Sequence, residues 1–518
     1  MDDNQRMLLG PSGKIKKREL VRAMMQSLKN LGYEDSARIL EIESNISYNT
    51  LESTSLKSQI VGGNWDESAK TLCNMNDLDQ ETRSEALMRV LRMWMLECLN
   101  REENSLFLKV LQRNDYVFGM EKAHMDKLAC SLIHYKDEIP FDASCIPELR
   151  QKLVAELESL LSPATRLPRL ESLVESAVCA QRNYCRYHNS ADTVSLYEDH
   201  SCGREQFPTE TVQILWDHKD EVWFVKFSNN GKYLASSSRD GKVIIWEVPE
   251  CGDLTLKHIL DGHETSVSFL SWSPSDLILL TCGHEEDLKV WDVNTGRIWF
   301  TYCDFSPILS SCAWLPGENG LFCGRSRPRS FIHLLKFGER TITTWSDNKN
   351  CMIVDFDTTP DGKYLVAIFS ENHIMIKNIE MGSMGNERVI TEESAIVSVS
   401  VSEDGKFLIV NLSNQEIHVW DVEGKMIQPL KYRGHKQVRF VIHSCFGGFE
   451  SRFIASGSED SRVYIWNRRD GIPLEVLNGH SMTVNCVSWN PKRPQMLASA
   501  SDDGTVRIWG PELTSESV

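Results

Sequence analysis

Long hydrophobic runs are missing from this 518-residue chain. The nearest approach, Ala86 to Leu99, is broken by Arg89, Arg92 and Glu97. Such charges suit a buried amphipathic helix and not a bilayer core, so no membrane association is expected. The opening stretch, MDDNQRMLLGPSGKIKKREL, holds no apolar h-region, so a secretory signal is not expected there. Positive charge is outweighed: 56 Lys and Arg face 73 Asp and Glu, a net charge of −17. Nucleic-acid binders neutralise phosphates with a basic face, so no nucleic-acid partner is expected. The 15 cysteines are odd in number, scattered and without a C-x-x-C pair, which fits reduced thiols in an intracellular protein better than a disulfide framework. There is no RING-type Cys/His spacing, no G-x-x-x-x-G-K-[ST] phosphate loop, and no cysteine with a readable thioester neighbourhood. The 14 histidines are mostly repeat positions or singletons. No enzymatic activity, no metal and no cofactor are therefore expected.

What is present divides into two differently built halves. Twelve of the 14 Trp follow residue 210. From Thr211 to Gly510, β-branched runs ending in Trp recur: VIIWEV, LKVWDV, IHVWDV, VYIWNR and VRIWG, with Trp246, Trp291, Trp420, Trp466 and Trp509. The period is about 43 residues, and the interval between Trp291 and Trp420 holds two degenerate units, with Leu335 and Lys377 at the Trp place. Short β-branched runs separated by Asp-Asp-Gly or Asn-Pro turns read as antiparallel hairpins, four strands to a unit. With Gly-His before the first strand and Trp-Asp closing the third, the pattern is that of WD-repeat β-propeller blades. Seven units are expected, the last completed by Val212–Trp216 from ahead of the first.

Within a blade, a loop His, a strand Ser, a turn Asp and the Trp indole can satisfy one another's buried polar atoms. The expected sets are His218, Ser236, Asp240 and Trp246; His435, Ser456, Asp460 and Trp466; and His480, Ser499, Asp503 and Trp509. His, Ser and Asp together suggest a hydrolase triad, but a trio repeated around a ring is structural. Aligned first strands place Trp223, Met352, Arg439 and Asn485 in one column at the channel mouth. The turn carrying Arg325, Arg327 and Arg329 opens on the same face. Exposed Trp and Arg are residue types that dominate interfaces, and three Arg forks on an acidic chain suit an acidic partner segment.

Residues 15–200 read as helical. In ELVRAMMQSLKNL, Val21, Met24, Leu28 and Leu31 recur at helical spacing before Gly32-Tyr33 breaks the run. Leu20, Leu31, Gly32, Tyr33, Ser36, Ala37 and Leu40 resemble the LisH motif, which implies dimerisation, here through Leu20, Met24, Leu31, Tyr33 and Leu40. The next segment, LKSQIVGGNWDESAKTL, resembles CTLH, with Leu56, Ile60, Trp65, Ala69 and Leu72 as its stripe and Gly62-Gly63-Asn64 as its bend. Helices are further expected at Glu81–Cys98, Glu121–Tyr135, Pro147–Leu161 and Arg169–Arg186. The expected organisation is a disordered 1–14, LisH at 15–48, CTLH at 50–108, a helical, CRA-like extension at 109–186, a connector at 187–210, the propeller at 211–510, and a disordered 511–518.

LisH, CTLH and a WD propeller in this order resemble the WD-repeat subunits of the GID/CTLH ubiquitin ligase. Specific stretches carry the likeness: FPTETVQILWDHKDEVWFVKFSNNGKYLA, IHSCFGGFESRFIASGSEDSRVYIW and TVNCVSWNPKRPQMLASASDDGTVRIWGP. The resemblance implies a non-catalytic scaffold that oligomerises through its helical half, partners other CTLH subunits, and receives protein substrates or regulators on the propeller. It implies a cytoplasmic protein, with a nuclear share left open. Two other readings stay open: a substrate receptor on the damaged-DNA-binding adaptor of cullin ligases, for which Trp466-Asn467-Arg468-Arg469 carries Asn in place of Asp, and a G-protein or cytoskeletal scaffold.

Overall fold

A computed structural model of the chain describes residues 8–9, 14–48, 51–75, 80–100, 146–161, 169–191, 194–283, 288–302, 309–315, 320–325, 331–336, 342–345, 352–379 and 387–512. The chain divides into two compact units, Met1–Ala180 and Gln181–Val518.

The first unit is built on helices. α1 (Lys17–Asn30) and α2 (Glu34–Ser44) form a hairpin. Gly32 turns the chain between them at φ +86, a left-handed conformation that a side chain would strain. Val21, Met25, Ala37, Ile46 and Tyr48 fill its small core, and Lys29 lies over the Tyr48 ring at 3.7 Å. α3 (Leu51–Gly62) and α4 (Trp65–Asn74) follow, bent at Gly63 with φ +76. α5 (Gln80–Asn100), α6 (Ile146–Leu161) and α7 (Arg169–Tyr184) are the remaining described helices. Pro147 sits in the first turn of α6, where its missing N–H has no partner to lose. The helix expected at Glu121–Tyr135 lies outside the described residues.

The stripe read from the sequence is the core of this bundle. Leu56, Ile60, Trp65, Ala69 and Leu72 are buried against Ala86, Leu87, Val90 and Leu153. A polar knot crosses the same core. Glu97, only 4% exposed, accepts the Trp65 indole N–H at 3.1 Å and the Nε–H and Nη2–H of Arg150, each at 2.7 Å. Arg150 also donates to the Val61 carbonyl at 2.9 Å, and a Cβ at Gly63 would fall 2.3 Å from its guanidinium. Gly63 thus serves both the bend and the ion pair.

The second unit is a β-propeller made of seven four-stranded antiparallel sheets. Their innermost strands are Val222–Phe227, Val267–Trp272, Leu309–Trp314, Ile353–Thr358, Ile396–Val401, Ser444–Gly447 and Val484–Trp489. Each packs on the next, and the last packs on the first. The repeat register is visible in the pairing. Leu234 faces Trp246, Leu279 faces Trp291, Leu408 faces Trp420, Ile454 faces Trp466 and Leu497 faces Trp509. In the two degenerate units Leu321 faces Leu335 and Leu365 faces Lys377. Period and pairing therefore carry those sheets without the Trp. The strand Glu210–Leu215 pairs with Val506–Gly510 and completes the last sheet, which covers an edge that would otherwise be open.

Neighbouring inner strands are also tied by side chains. Ser488 Oγ accepts the Phe227 N–H at 3.0 Å, Asp355 accepts that of Val399 at 3.0 Å, and Asp357 that of Val401 at 3.0 Å. The segment expected as a plain connector belongs to this unit and packs on its sheets. Phe207 is fully buried with Phe453 and Trp489. Glu475 accepts hydrogen bonds from Tyr187 Oη and Arg204, each at 2.8 Å. Asn189 donates to the Pro494 carbonyl at 2.6 Å and accepts the Phe449 N–H at 2.9 Å.

Candidate interaction surfaces

The expected His, Ser, Asp and Trp sets form to different degrees. In the last sheet all four residues join. His480 Nδ1 meets Asp503 at 2.9 Å, His480 Nε2 meets Ser499 Oγ at 2.8 Å, and the Trp509 indole donates to the same Oγ at 2.8 Å. In the first sheet His218 meets Asp240 at 3.1 Å and Ser236 at 2.6 Å, while the buried Trp246 N–H has no partner. Burial opposes ionisation of Asp240 and Asp503, yet hydrogen bonds from His218 and His480 and from backbone amides prevail and hold both carboxyls well below their usual range.

The third set is corrected. His435, Ser456, Asp460 and Trp466 do not form a network. Tyr464 stands opposite Ser456 on the third strand, and its hydroxyl donates to Asp460 at 2.8 Å. Ser456 turns to the Gly457 carbonyl at 3.0 Å, and Trp466 donates to the Arg433 carbonyl at 3.1 Å. Both His435 ring nitrogens are buried without a hydrogen bond of good geometry, and burial, which outweighs the nearby Gln437 amide and Asp460 carboxylate, lowers its pKa to about 4. Two variants escaped the sequence reading. Thr281 replaces the serine between His263 and Trp291, at 2.7 and 2.8 Å. In the sheet of Trp420 the order is reversed: the loop supplies Glu392, which accepts from the Trp420 indole and meets His418 of the third strand at 2.9 Å. The Gly262-His263 dipeptide signalled the first; nothing in the repeat pattern signalled the second.

The proposed rim is only partly gathered. Trp223 is half-buried and donates to Glu221 at 3.0 Å, and Glu221 also binds Arg239 at 3.0 Å. Met352 is exposed, but it precedes its inner strand Ile353–Thr358, in which Val354 holds the register place of Trp223, so Met352 too falls outside the column. Arg439 is exposed, but not as a strand residue. Pairing of its sheet starts at Ser444, so the alignment that put Arg439 in the column slipped, and it stands on the preceding loop. Glu459 holds that loop through the backbone N–H groups of Val438, Arg439 and Phe440, at 2.6, 2.5 and 3.0 Å. The side chains of Val438, Phe440 and Val441 are thereby presented to solvent. Asn485 leaves the rim: it is buried, and its amide donates to the Val222 carbonyl at 3.1 Å and Asp502 at 2.7 Å. Arg325 ends a strand, while Arg327 and Arg329 lie outside the described residues.

On the LisH hairpin, Leu20 and Leu40 are half-buried. Met24, Leu31 and Tyr33 are 42%, 65% and 59% exposed, joined by Ile39 and by Ile42 at 74%. A hairpin of two short helices that buries Val21, Met25 and Ala37 has no inner room for these. Their exposure makes them an apolar surface of the kind that marks interaction sites.

One cluster bears on the expectation that no metal is bound. Among the described residues, donor atoms of Cys185, His200 and Cys202 lie within 4.8 Å of one another. His188 Nδ1 is 2.8 Å from His200 Nε2 and 3.5 Å from Cys202 Sγ. The pairs Cys-x-x-His and His-x-Cys were the available signal, hidden in a segment read as linker.

The WDR26 Lis-homology domain family matches residues 7–50. The WD domain, G-beta repeat family matches residues 209–247, 254–292, 427–467 and 471–510. The Arabidopsis thaliana WD repeat-containing protein WDS homolog is 50% identical over 97% of this chain and 97% of its own. GID complex subunit 7 of Schizosaccharomyces pombe is 32% identical over 95% of this chain and 96% of its own. Among solved structures, the Cps50 (Swd1) β-propeller domain of Myceliophteria thermophila aligns with a TM-score of 0.50 at 19% identity, over 59% of this chain and all of that one, a likeness of fold alone. The matched LisH hairpin, the WD sheets and end-to-end identity with these two relatives place the chain in the family of LisH and WD-repeat proteins to which they belong.

Proposed function

We propose that this protein is a non-catalytic scaffold and partner-recruiting subunit of a GID/CTLH-type ubiquitin ligase, assembled through its helical half. The observation that carries the reading is the exposed apolar surface of Met24, Leu31, Tyr33, Ile39 and Ile42, and its occupant is a second copy of the hairpin. Large side chains contribute about 1.5–3 kcal/mol each on full burial, so five sustain a dimer. α3 to α6 are the CTLH part and its extension in this reading, and they contact other CTLH subunits. The seven sheets form one seven-bladed ring that receives substrates or regulators. Full-length likeness to GID complex subunit 7 supports the assembly, and cytoplasm and nucleus are its proposed locations. Affinity purification of the tagged protein from cells is the test. RING-bearing CTLH proteins are expected in the eluate; recovery of the cullin adaptor alone, or of neither, would overturn the reading. The cullin alternative gains no support, because the Asn467 amide in its motif donates to the Arg186 carbonyl at 3.2 Å, a contact with the chain's own segment.

The propeller face that carries Trp223, Met352, Arg439 and the apolar loop Val438–Val441 is proposed as the recruiting surface. The turn of Arg325, Arg327 and Arg329 takes an acidic stretch of the partner by forked hydrogen bonds. Changing all three to Glu is expected to leave folding and self-association intact and to weaken partner capture, most at low salt where charges are least screened. Capture of every propeller partner at wild-type level would rule out this rim.

A further inference from the structure

We propose that Cys185, His188, His200 and Cys202 form a structural zinc site that staples the Gln181–Thr209 segment onto the propeller. The four residues come from two short stretches, Cys-x-x-His and His-x-Cys, at the ends of a loop. Cys185 follows the last turn of α7 and donates its N–H to the Gln181 carbonyl at 3.0 Å, which fixes one arm. Donor atoms of Cys185, His200 and Cys202 lie within 4.8 Å of one another. His200 Nε2 is 3.1 Å from Cys202 Sγ, and His188 Nδ1 is 2.8 Å and 3.5 Å from those two atoms. Zn–N bonds of about 2.0–2.1 Å and Zn–S bonds of about 2.3 Å imply tetrahedral edges of about 3.3–3.8 Å. The His200–Cys202 and His188–His200 spacings fall below that range and His188–Cys202 falls within it, while His188 stands outside the 4.8 Å group of the other three, so binding the ion spreads the two imidazoles and draws Cys185 and His188 toward each other.

The chemistry agrees with zinc. Two thiolates and two neutral imidazoles balance a divalent charge, which matters where Cys185 and His188 are buried. The Cys202 N–H donates to Cys185 Sγ at 3.1 Å, a contact that favours the thiolate over the thiol. Soft thiolates with imidazole select zinc over magnesium or calcium. Four protein ligands close the coordination sphere and leave no position for water, so the site is structural and not catalytic.

The fold supplies a reason for it. Among its described residues, the loop between the two arms carries little core, with Leu196 and Tyr197 exposed. Residues flanking the arms make the specific contacts: Tyr187 and Arg204 with Glu475, Asn189 with Pro494 and Phe449, and Phe207 in the Phe453–Trp489 core. A metal that clips the loop holds both sets in place, and its binding free energy becomes folding free energy of this segment.

The test uses the full chain, purified under reducing conditions from zinc-supplemented cells, gel-filtered and assayed by elemental mass spectrometry. One equivalent of zinc per chain is expected. C185S/C202S is expected to lose it, whereas C251S, which alters an exposed thiol elsewhere, retains it. H200N keeps the test decisive if the double variant does not fold: it is expected to bind zinc more weakly and to lose it to a chelator that wild type resists. Cobalt substitution of wild type should give the visible spectrum of a tetrahedral thiolate site, absent in C185S/C202S. Folded wild type with well under one equivalent, equal zinc in wild type and both ligand variants, or a Cys185–Cys202 disulfide in the native protein would each overturn the proposal.

Discussion

At the scale of single residues, one repeat position carries different chemistry in different sheets, and the difference is measurable. Ser499 serves both His480 and Trp509. Ser499→Ala leaves two buried groups unsatisfied and is expected to cost about 1–3 kcal/mol in denaturant unfolding of the second unit. His435 in the equivalent position makes no such bond, so His435→Leu, which keeps the volume and removes the polar atoms, is expected to be neutral or stabilising. Acid sensitivity follows from the same residue. Burial lowers His435 from 6.5 to about 4, and His443 likewise. A lowered folded-state pKa means that the unfolded chain binds more protons between these values, so stability is full above about pH 6.5 and is lost as pH falls toward about 4. Thermal melts of His435→Leu across that window should show a flatter profile than wild type; an unchanged slope would count against burial of a neutral His435.

At the scale of elements, the ring is closed by a strand from the opposite end of its own sequence. A fragment that begins at residue 220 removes Glu210–Leu215 and exposes the edge of Val506–Gly510. It is expected to aggregate or melt well below a fragment that begins at 205; equal melting temperatures would contradict the closure. The docked segment refines this, because a start at 205 keeps Phe207 but drops Tyr187 and Asn189, so a start at 181 should melt higher still. In the helical half, Glu97→Ala strands Arg150 and the Trp65 indole in the core. Loss of one partner of a buried pair costs about 3–5 kcal/mol, to be read from urea unfolding. How much of this was legible depends on the kind of signal. Trp spacing, Gly-His dipeptides and the Leu56–Leu72 stripe reflect periodic burial, and periodicity is written in sequence. The slip at Arg439 arose because its sheet starts with Ser444 in place of an apolar run. The failed network of Trp466 depends on one Tyr facing one Ser across a strand pair. The Cys and His cluster depends on a loop returning to its start, which no local period encodes.

In the whole molecule, the helices carry the proposed assembly and the propeller the proposed recruitment. Assembly is the part on which the rest depends: a scaffold that does not self-associate links nothing. The native mass of the full-length chain, by light scattering or native mass spectrometry at micromolar concentration, tests this most directly. A dimer or larger species is expected for wild type, and Leu31→Asp with Ile42→Asp, two exposed positions outside the hairpin core, is expected to reduce the size while leaving the helical content and the propeller melt unchanged. A monomeric wild type of 59.1 kDa, or a double variant with the same mass as wild type, would contradict assembly through this surface.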